Sequence, residues 1–240
     1  MTVHRGNVHE YLGIDLDFST PKVQKIGMIK YIKKIHKEFP EEIRSVAATP
    51  AAEHLFEVHK DNKDKLLPEE QALAFHRTTA QLLFLSACAR PDIQTPVSFL
   101  CTRTRAPDED DWGKLKRVLK YLYGTRHMKL CLTTENLENI TWWVDASYAV
   151  HWDSRSHTGM VMSLGLGAVI SGSWRQKLNT GSSTEAELVG IDDALKYIMW
   201  GLYFIQAQGF KITTSQLFSW QITERSRAPS ALNTSKTSTS

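Results

Sequence analysis

The sequence predicts an α/β protein in which a mixed sheet with helices follows a mostly helical segment that opens with a strand pair. Two observations support this prediction. The second half carries three strand-like runs and then a long helix-like run, and the first half carries apolar residues at helical spacing between prolines. With 240 residues, 42% of them hydrophobic, the chain is long enough for one large or two small packed domains.

The first half is predicted to be mostly helical. Alternating apolar and polar residues from His9 to Phe18 predict strand structure. Apolar residues at steps of four, three and four then predict a helix from Met28 to Phe39, followed by a surface connection over residues 41–67. A second helix is predicted to begin at Pro68, and a last one to run from the acidic residues 108–111 to Gly124.

The second half is predicted to contain a three-strand meander and then a long helix. The strands are expected around Trp142–Ser147, Gly159–Leu164 and Ala168–Trp174, with glycines in the second turn. A helix is predicted to begin near Ser183 because an N-cap residue with nearby acids precedes apolar residues at steps of three and four. Those apolar residues are Leu188, Ile191, Leu195, Ile198, Leu202 and Ile205. The run from Thr213 to Phe218 predicts a fourth strand.

Two acids stand out in this pattern, Asp145 on the first strand of the meander and Glu187 early in the helix. Four motifs accompany them in order: Val144-Asp145-Ala146, Asp153-Ser154-Arg155-Ser156-His157-Thr158-Gly159, Gln176-Lys177 and Ser182-Ser183-Thr184-Glu185-Ala186-Glu187-Leu188. Together they resemble the ribonuclease H domain at the C-terminal end of copia-type LTR retrotransposon polyproteins. That resemblance implies a ribonuclease H-like fold and hydrolysis of RNA in RNA–DNA hybrids.

The same resemblance implies a site for two Mg²⁺ ions, one to help generate the attacking hydroxide and one to stabilise the leaving oxygen. The family uses three or four carboxylates, of which this sequence supplies Asp145 and Glu187 as the expected catalytic and magnesium-binding residues. Glu187 is preferred over Glu185 because it directly precedes Leu188 of the apolar stripe, whereas Glu185 points elsewhere around the helix. Asp153 with Arg155 is expected to form a turn and salt bridge.

The third carboxylate is not found where the family places it. After the fourth strand the family has an Asp-Asn pair, but Trp220 takes the position of the acid. Residues 222–240 have no periodicity and end in a Ser/Thr-rich run, so they are expected to be disordered. We therefore expect a ribonuclease H-like domain truncated after its fourth strand, by a frame shift or a mis-joined end, with an incomplete magnesium site and weak or absent activity.

Further motifs resemble the reverse transcriptase C-terminal and connection region of the same polyproteins. They are Tyr11-Leu12-Gly13-Ile14, Arg90-Pro91-Asp92-Ile93 and Leu119-Lys120-Tyr121-Leu122-Tyr123-Gly124-Thr125. The resemblance implies that the polymerase aspartates lie upstream of Met1, so nucleotide addition is not expected. The expected domains are a palm and primer-support remnant at 1–40, a helical connection segment at 41–135, a partial ribonuclease H-like domain at 136–220 and an out-of-family tail at 221–240.

Two alternative functions are open. The chain could be a non-catalytic module that binds an RNA–DNA hybrid or a partner polymerase subunit through the lysine-rich first helix and the connection segment, or it could be a functionless translated relic of a mobile element. The net charge of +3 allows a polyanion partner but does not require one. The expected partners are an RNA–DNA hybrid and the upstream polymerase portion, with no membrane and no small-molecule cofactor. Three widely spaced cysteines indicate free thiols and an intracellular location, in cytoplasm or nucleus.

Overall fold

The computed structural model describes residues 5–58, 65–134 and 137–219. The strands are β1 (Val8–Tyr11), β2 (Ile14–Thr20), β3 (Val23–Gly27), β4 (Leu130–Thr133), β5 (Asn139–Ser147), β6 (His157–Ser163), β7 (Ile170–Arg175) and β8 (Thr214–Ser219). The helices are α1 (Ile29–Glu38), α2 (Glu69–Cys88), α3 (Gln94–Arg103), α4 (Glu109–Gly124) and α5 (Ser183–Ala207), with a 3-10 turn at Pro91–Ile93. The α/β class predicted from the sequence is confirmed.

The first sheet has the strand order β1-β2-β3-β4, and every neighbouring pair is antiparallel. Treating His9–Phe18 as one continuous run was wrong, because the chain turns back at Leu12 and Gly13, whose φ angles are 51° and 78°. Glycine adopts such positive φ angles readily, which favours a tight turn between β1 and β2. No local pattern predicted β4, which pairs with β3 across about a hundred intervening residues.

A helical layer adjoins this sheet and contains the larger of two hydrophobic cores. Met28, Ile32, Ile35 and Phe39 on one side of α1 are all buried, as their spacing predicted. In α4 the apolar residues Trp112, Leu115, Val118, Leu119 and Leu122 are buried. Asp108 caps this helix by accepting a hydrogen bond from the backbone N–H of Asp111 at 2.9 Å. The first helix and the connection helices therefore share one core.

The second sheet has the strand order β7-β6-β5-β8. Strands β5, β6 and β7 form the predicted antiparallel meander, and β8 is the predicted fourth strand. It lies parallel to β5, with Trp142 opposite Leu217. Two parallel neighbours need a crossover connection, and α5 supplies it. As a result β5 is the strand of this sheet that has a parallel neighbour on one side and an antiparallel neighbour on the other.

Helix α5 covers one face of this sheet, but the predicted apolar stripe is only partly correct. Leu188 and Leu195 are 64% and 48% exposed, so they do not face the core. The buried positions on this helix are Ala186, Glu187, Gly190, Ala194, Gly201 and Ile205, with Ile191, Ile198 and Leu202 partly buried against the same core. Small residues on this side let the helix approach the sheet closely enough to pack against large strand side chains.

The helical layer touches the second sheet through α3 and β7. The side-chain amide of Gln94 donates to the carbonyl of Ser171 at 3.3 Å, and Ser173 and Thr95 are joined by a hydroxyl hydrogen bond of 3.2 Å. The three cysteines, Cys88, Cys101 and Cys131, are free and half-buried. Among the described residues, no helix has the length and apolar character needed to cross a membrane.

Candidate active site

Asp145 lies on β5, at the centre of the second sheet. Ile140, Trp142 and Val144 on this strand are 1–2% exposed and belong to the core beneath α5. Side chains alternate between the two faces of a strand, so Asp145 projects to the face opposite α5. It is exposed, and its partner on β6 is Gly159. The carboxylate therefore faces open space rather than the core.

Glu187 lies in the first turns of α5 and is only 7% exposed. The helix begins with Ser182, whose hydroxyl accepts a hydrogen bond from the backbone N–H of Glu185 at 3.1 Å. The carboxylate of Glu185 in turn accepts from the backbone N–H of Gly181 at 2.6 Å. Glu185 thus caps the start of the helix locally, as expected for an acid placed near a helix N-terminus. Leu188 is exposed, so it is not part of the packed side of the helix, and the reason given for preferring Glu187 was wrong. Glu187 is nonetheless buried, whereas Glu185 is exposed.

The start of α5 is fixed onto the sheet by a buried glutamine. Gln176 is 0% exposed, and its side-chain amide donates to the carbonyl of Ala186 at 2.8 Å and to the hydroxyl of Thr158 at 2.9 Å. The Gln176 motif recognised in the sequence therefore has a positioning role in this fold. Its two hydrogen bonds hold the first turn of α5, which carries Glu187, in a defined position relative to the sheet.

The two predicted site residues lie near the same end of β5 but on different sides of the sheet. A Cβ atom added at Gly190 would stand 3.5 Å from the Cβ atom of Ala146, so this turn of α5 crosses the end of β5. Glu187 is three residues earlier on the helix and hence on the same side of it. Asp145 projects from the other face.

The residues present fit a magnesium site only in part. Carboxylate oxygens are the donors that Mg²⁺ prefers, but it demands near-octahedral coordination and two side chains fill few of those positions. Within residues 5–58, 65–134 and 137–219, no three His, Cys, Asp or Glu side chains are grouped so that they could hold a metal ion. The predictions about Trp220 and the disorder of residues 222–240 concern positions outside these ranges.

The predicted turn around Asp153 is present as an ion-pair element. Its carboxylate forms an ion pair with Arg155 at 3.3 Å and accepts a hydrogen bond from Arg175 on β7 at 2.9 Å. Asp192 is exposed, whereas Asp193 is half-buried and accepts a hydrogen bond from the indole of Trp174 at 3.2 Å. These acids support the fold around the sheet.

A buried pair of histidines, to which no sequence motif assigned a role, lies where the connection segment meets the second sheet. The Nε2 atom of His151 is 3.0 Å from Nδ1 of His157, and Nε2 of His157 is 2.7 Å from the hydroxyl of Ser173. The ring of Phe56 packs against both imidazoles. The pKa of each histidine is lowered to about 4, chiefly by burial, with a smaller contribution from Arg175 for His151 and from His151 for His157. The pair is therefore neutral at physiological pH.

Comparison with known proteins identifies relatives but no matching structure. No family model matches the sequence, and no solved structure matches it. A putative transposon Ty5-1 protein of Saccharomyces cerevisiae is 29% identical over 80% of this chain and 62% of its own length. The retrovirus-related Pol polyprotein from transposon TNT 1-94 of Nicotiana tabacum is 28% identical over 75% of this chain and 14% of its own length. A secreted RxLR effector protein of Plasmopara viticola is 31% identical over 50% of this chain and 84% of its own length.

The chain thus spans less than two thirds of the first two relatives. Both of these names are those of transposon proteins, and similar names recur among further relatives, such as the Pol polyprotein from transposon RE2 of Arabidopsis thaliana at 30% identity.

Proposed function

Since this chain belongs to the copia-type retrotransposon Pol polyproteins, we propose that residues 139–219 form a ribonuclease H-like unit whose cleavage of RNA in RNA–DNA hybrids is weak or absent. The observation that carries the proposal is the placement of Asp145 on the first strand of an antiparallel meander, with the buried Glu187 in the first turns of the following helix. Residues 41–135 are proposed to be the connection segment of the same polyprotein, and residues 1–40 a remnant of its palm and primer-support region.

In this proposal Asp145 and Glu187 are the residues that would hold Mg²⁺. The ion would supply charge neutralisation at the scissile phosphate when bound. The chain's own contribution is positional: Gln176 anchors the turn that carries Glu187, and the pairing of β5 with β6 and β8 holds Asp145 in place. Activity is proposed to be low because two carboxylates from opposite sides of the sheet leave most of the magnesium coordination to water.

The test is a cleavage assay with an end-labelled RNA–DNA hybrid in magnesium, using the parent chain and three variants. Asp145→Asn and Glu187→Gln should abolish whatever cleavage the parent shows, because each removes a charge from the proposed site without changing side-chain shape. Glu185→Gln is the matched control, and it should retain the parental rate because Glu185 caps the helix start. Cleavage that survives Asp145→Asn, or that is lost only in Glu185→Gln, would reject this assignment of the site.

The alternative of hybrid binding through α1 receives less support. Of the four lysines on this helix, Lys30 is paired with Glu10 at 2.5 Å and Lys34 lies 3.9 Å from Glu38. These pairs reduce the positive charge that α1 presents to a phosphate backbone. The salt dependence of hybrid binding tests this alternative. If the affinity falls with increasing salt concentration only as steeply as one or two phosphate contacts predict, α1 is not a main binding surface.

A further inference from the structure

A cavity of about 550 Å³ lies between α4 and the connection around residues 46–55. We refer to it as the α4 cavity. On the connection side its walls are formed largely by small residues, among them Ala47, Ala48, Pro50 and Ala51, and on the helix side Gly113 contributes no side chain. The volume falls within the range of about 300–1,000 Å³ that is usual for small-molecule sites.

The side chains that α4 directs at this cavity are mostly cationic: Lys114, Lys116, Arg117 and Lys120 all line it. Two of these are neutralised by neighbours. Lys114 pairs with Asp110 at 2.8 Å and donates to the carbonyl of Glu57 at 2.6 Å. Lys116 pairs with Glu41 at 2.9 Å.

The other two cations, Arg117 and Lys120, are less closely matched by carboxylates. Lys120 interacts with Glu41, but that carboxylate is already paired with Lys116. Within the described part of the chain, neither Arg117 nor Lys120 takes part in an ion pair. Arg117 donates one hydrogen bond, from Nη2 to the hydroxyl of Thr49 at 2.9 Å. Its Nε–H group is buried and has no acceptor among the described residues. A buried guanidinium donor without an acceptor is costly, and because Arg117 lines the cavity, an anion held there would offset its positive charge.

We propose that the α4 cavity binds a phosphate-bearing small molecule of about nucleotide size, with Arg117 and Lys120 holding the phosphate. Arg117, which has no ion pair among the described residues, and Lys120, which shares Glu41 with Lys116, favour a group that carries more than one negative charge. The planar guanidinium matches the oxygens of a phosphate. The apolar wall, which includes Ala51 and Leu55, is suited to an uncharged organic part of the ligand. Neither Asp145 nor Glu187 lines this cavity, so the proposal does not depend on the proposed nuclease activity.

The proposal is tested by calorimetric titration of the full chain at low salt with three probes: inorganic phosphate, a nucleoside monophosphate, and a single-stranded oligonucleotide that lacks a terminal phosphate. The monophosphate should bind more tightly than inorganic phosphate, and both more tightly than the oligonucleotide. Arg117→Gln and Lys120→Gln should each weaken monophosphate binding about tenfold or more, since each removes a charged contact. Lys33→Gln, at an exposed position on α1, is the matched charge control and should leave affinity unchanged.

A second pair of variants tests whether the ligand enters the cavity itself. A Cβ atom at Gly113 would meet no atom within 4 Å, so Gly113→Ala should leave both the fold and binding intact. Gly113→Phe should fill the cavity and abolish monophosphate binding, and circular dichroism checks that this variant is folded. If Gly113→Phe does not fold, the proposal is tested by the monophosphate affinities of Arg117→Gln and Lys33→Gln alone.

Three results would overturn the proposal. One is the absence of monophosphate binding at millimolar concentration. Another is an equal loss of affinity in Arg117→Gln and Lys33→Gln. The third is tight oligonucleotide binding that persists in folded Gly113→Phe, which would identify the cations as a surface for a nucleic-acid backbone rather than a small-molecule site.

Discussion

The indole ring of Trp142 packs directly against Gly201, where an added Cβ atom would stand 3.0 Å from the Cζ2 atom of the ring. Trp142 is 1% exposed and lies on the central strand, so it has little room to move. The contact sets the distance between α5 and the sheet near the C-terminal end of the helix. Nearer its N-terminal end, Gly190 packs closely against Ala146 and sets the same distance there.

Gly201→Ala should therefore destabilise the protein although alanine is the better helix former. Overpacking a dense core costs about 1–3 kcal/mol, and the helix-propensity gain recovers about 0.5–1 kcal/mol. The expected net loss in the free energy of unfolding is about 1 kcal/mol, measured by urea denaturation. An unchanged or higher stability would mean that the ring of Trp142 can shift.

Gly113→Ala is the matched change on α4, at an exposed helical position where the new methyl group meets nothing within 4 Å. Only the propensity term applies here, so we expect a gain of about 0.5–1 kcal/mol in the same denaturation experiment. Opposite signs at the two glycines would separate the packing effect from the propensity effect. A lower free energy of unfolding in Gly113→Ala would mean that the added methyl group does not lie in open space.

Arg90→Ala should be strongly destabilising. The guanidinium is buried, pairs with Asp92 at 2.7 Å and donates to the carbonyl of Thr125 at 3.1 Å, which joins the start of α3 to the end of α4. Removing one partner of a buried ion pair costs about 3–5 kcal/mol. Arg44→Ala, which breaks an exposed pair with Glu42, should change the free energy of unfolding by less than about 1 kcal/mol. Similar losses for both variants would argue that Arg90 is not a fixed element of the core.

The His151–His157 pair should make the protein less stable in acid. Their folded-state pKa values of about 4 lie below the ordinary value of 6.5, so the unfolded chain binds more protons between these limits. The stability due to the neutral pair is fully present above about pH 6.5 and is lost as the pH falls through about 4. Denaturation across this range measures the slope.

The double variant His151→Gln with His157→Asn should flatten that pH dependence, because it removes both titrating groups. His76→Gln changes an exposed histidine and serves as the control. A parental slope in the double variant would show that other groups are responsible for the loss of stability in acid.

Local patterns predicted much of this fold because the responsible interactions are local. Ile140, Trp142 and Val144 alternate with exposed residues, as one buried face of a strand requires. The acidic start of α4 is a capping box formed by Asp108 and Asp111, within one turn of chain.

Other features depended on distant contacts that no local pattern contains. Strand β4 exists because it pairs with β3, with Lys25 opposite Cys131. The inner side of α5 was misassigned because Gly190 and Gly201 carry no hydrophobic signal, although close packing depends on them. For the candidate site, the sequence supplied the identities of Asp145 and Glu187, but the face of the sheet on which each lies is set by strand pairing and helix docking.

The measurement that tests the central claim most directly is hybrid cleavage by a chimera in which residues 219–240 are replaced by the corresponding segment of the tobacco Pol polyprotein. If Asp145 and Glu187 belong to an incomplete ribonuclease H-like site, the chimera should cleave the RNA strand in magnesium faster than the parent, and Asp145→Asn in the chimera should abolish that cleavage. A parent chain that already cleaves as fast as the chimera, or a chimera whose rate is unchanged by Asp145→Asn, would contradict the account.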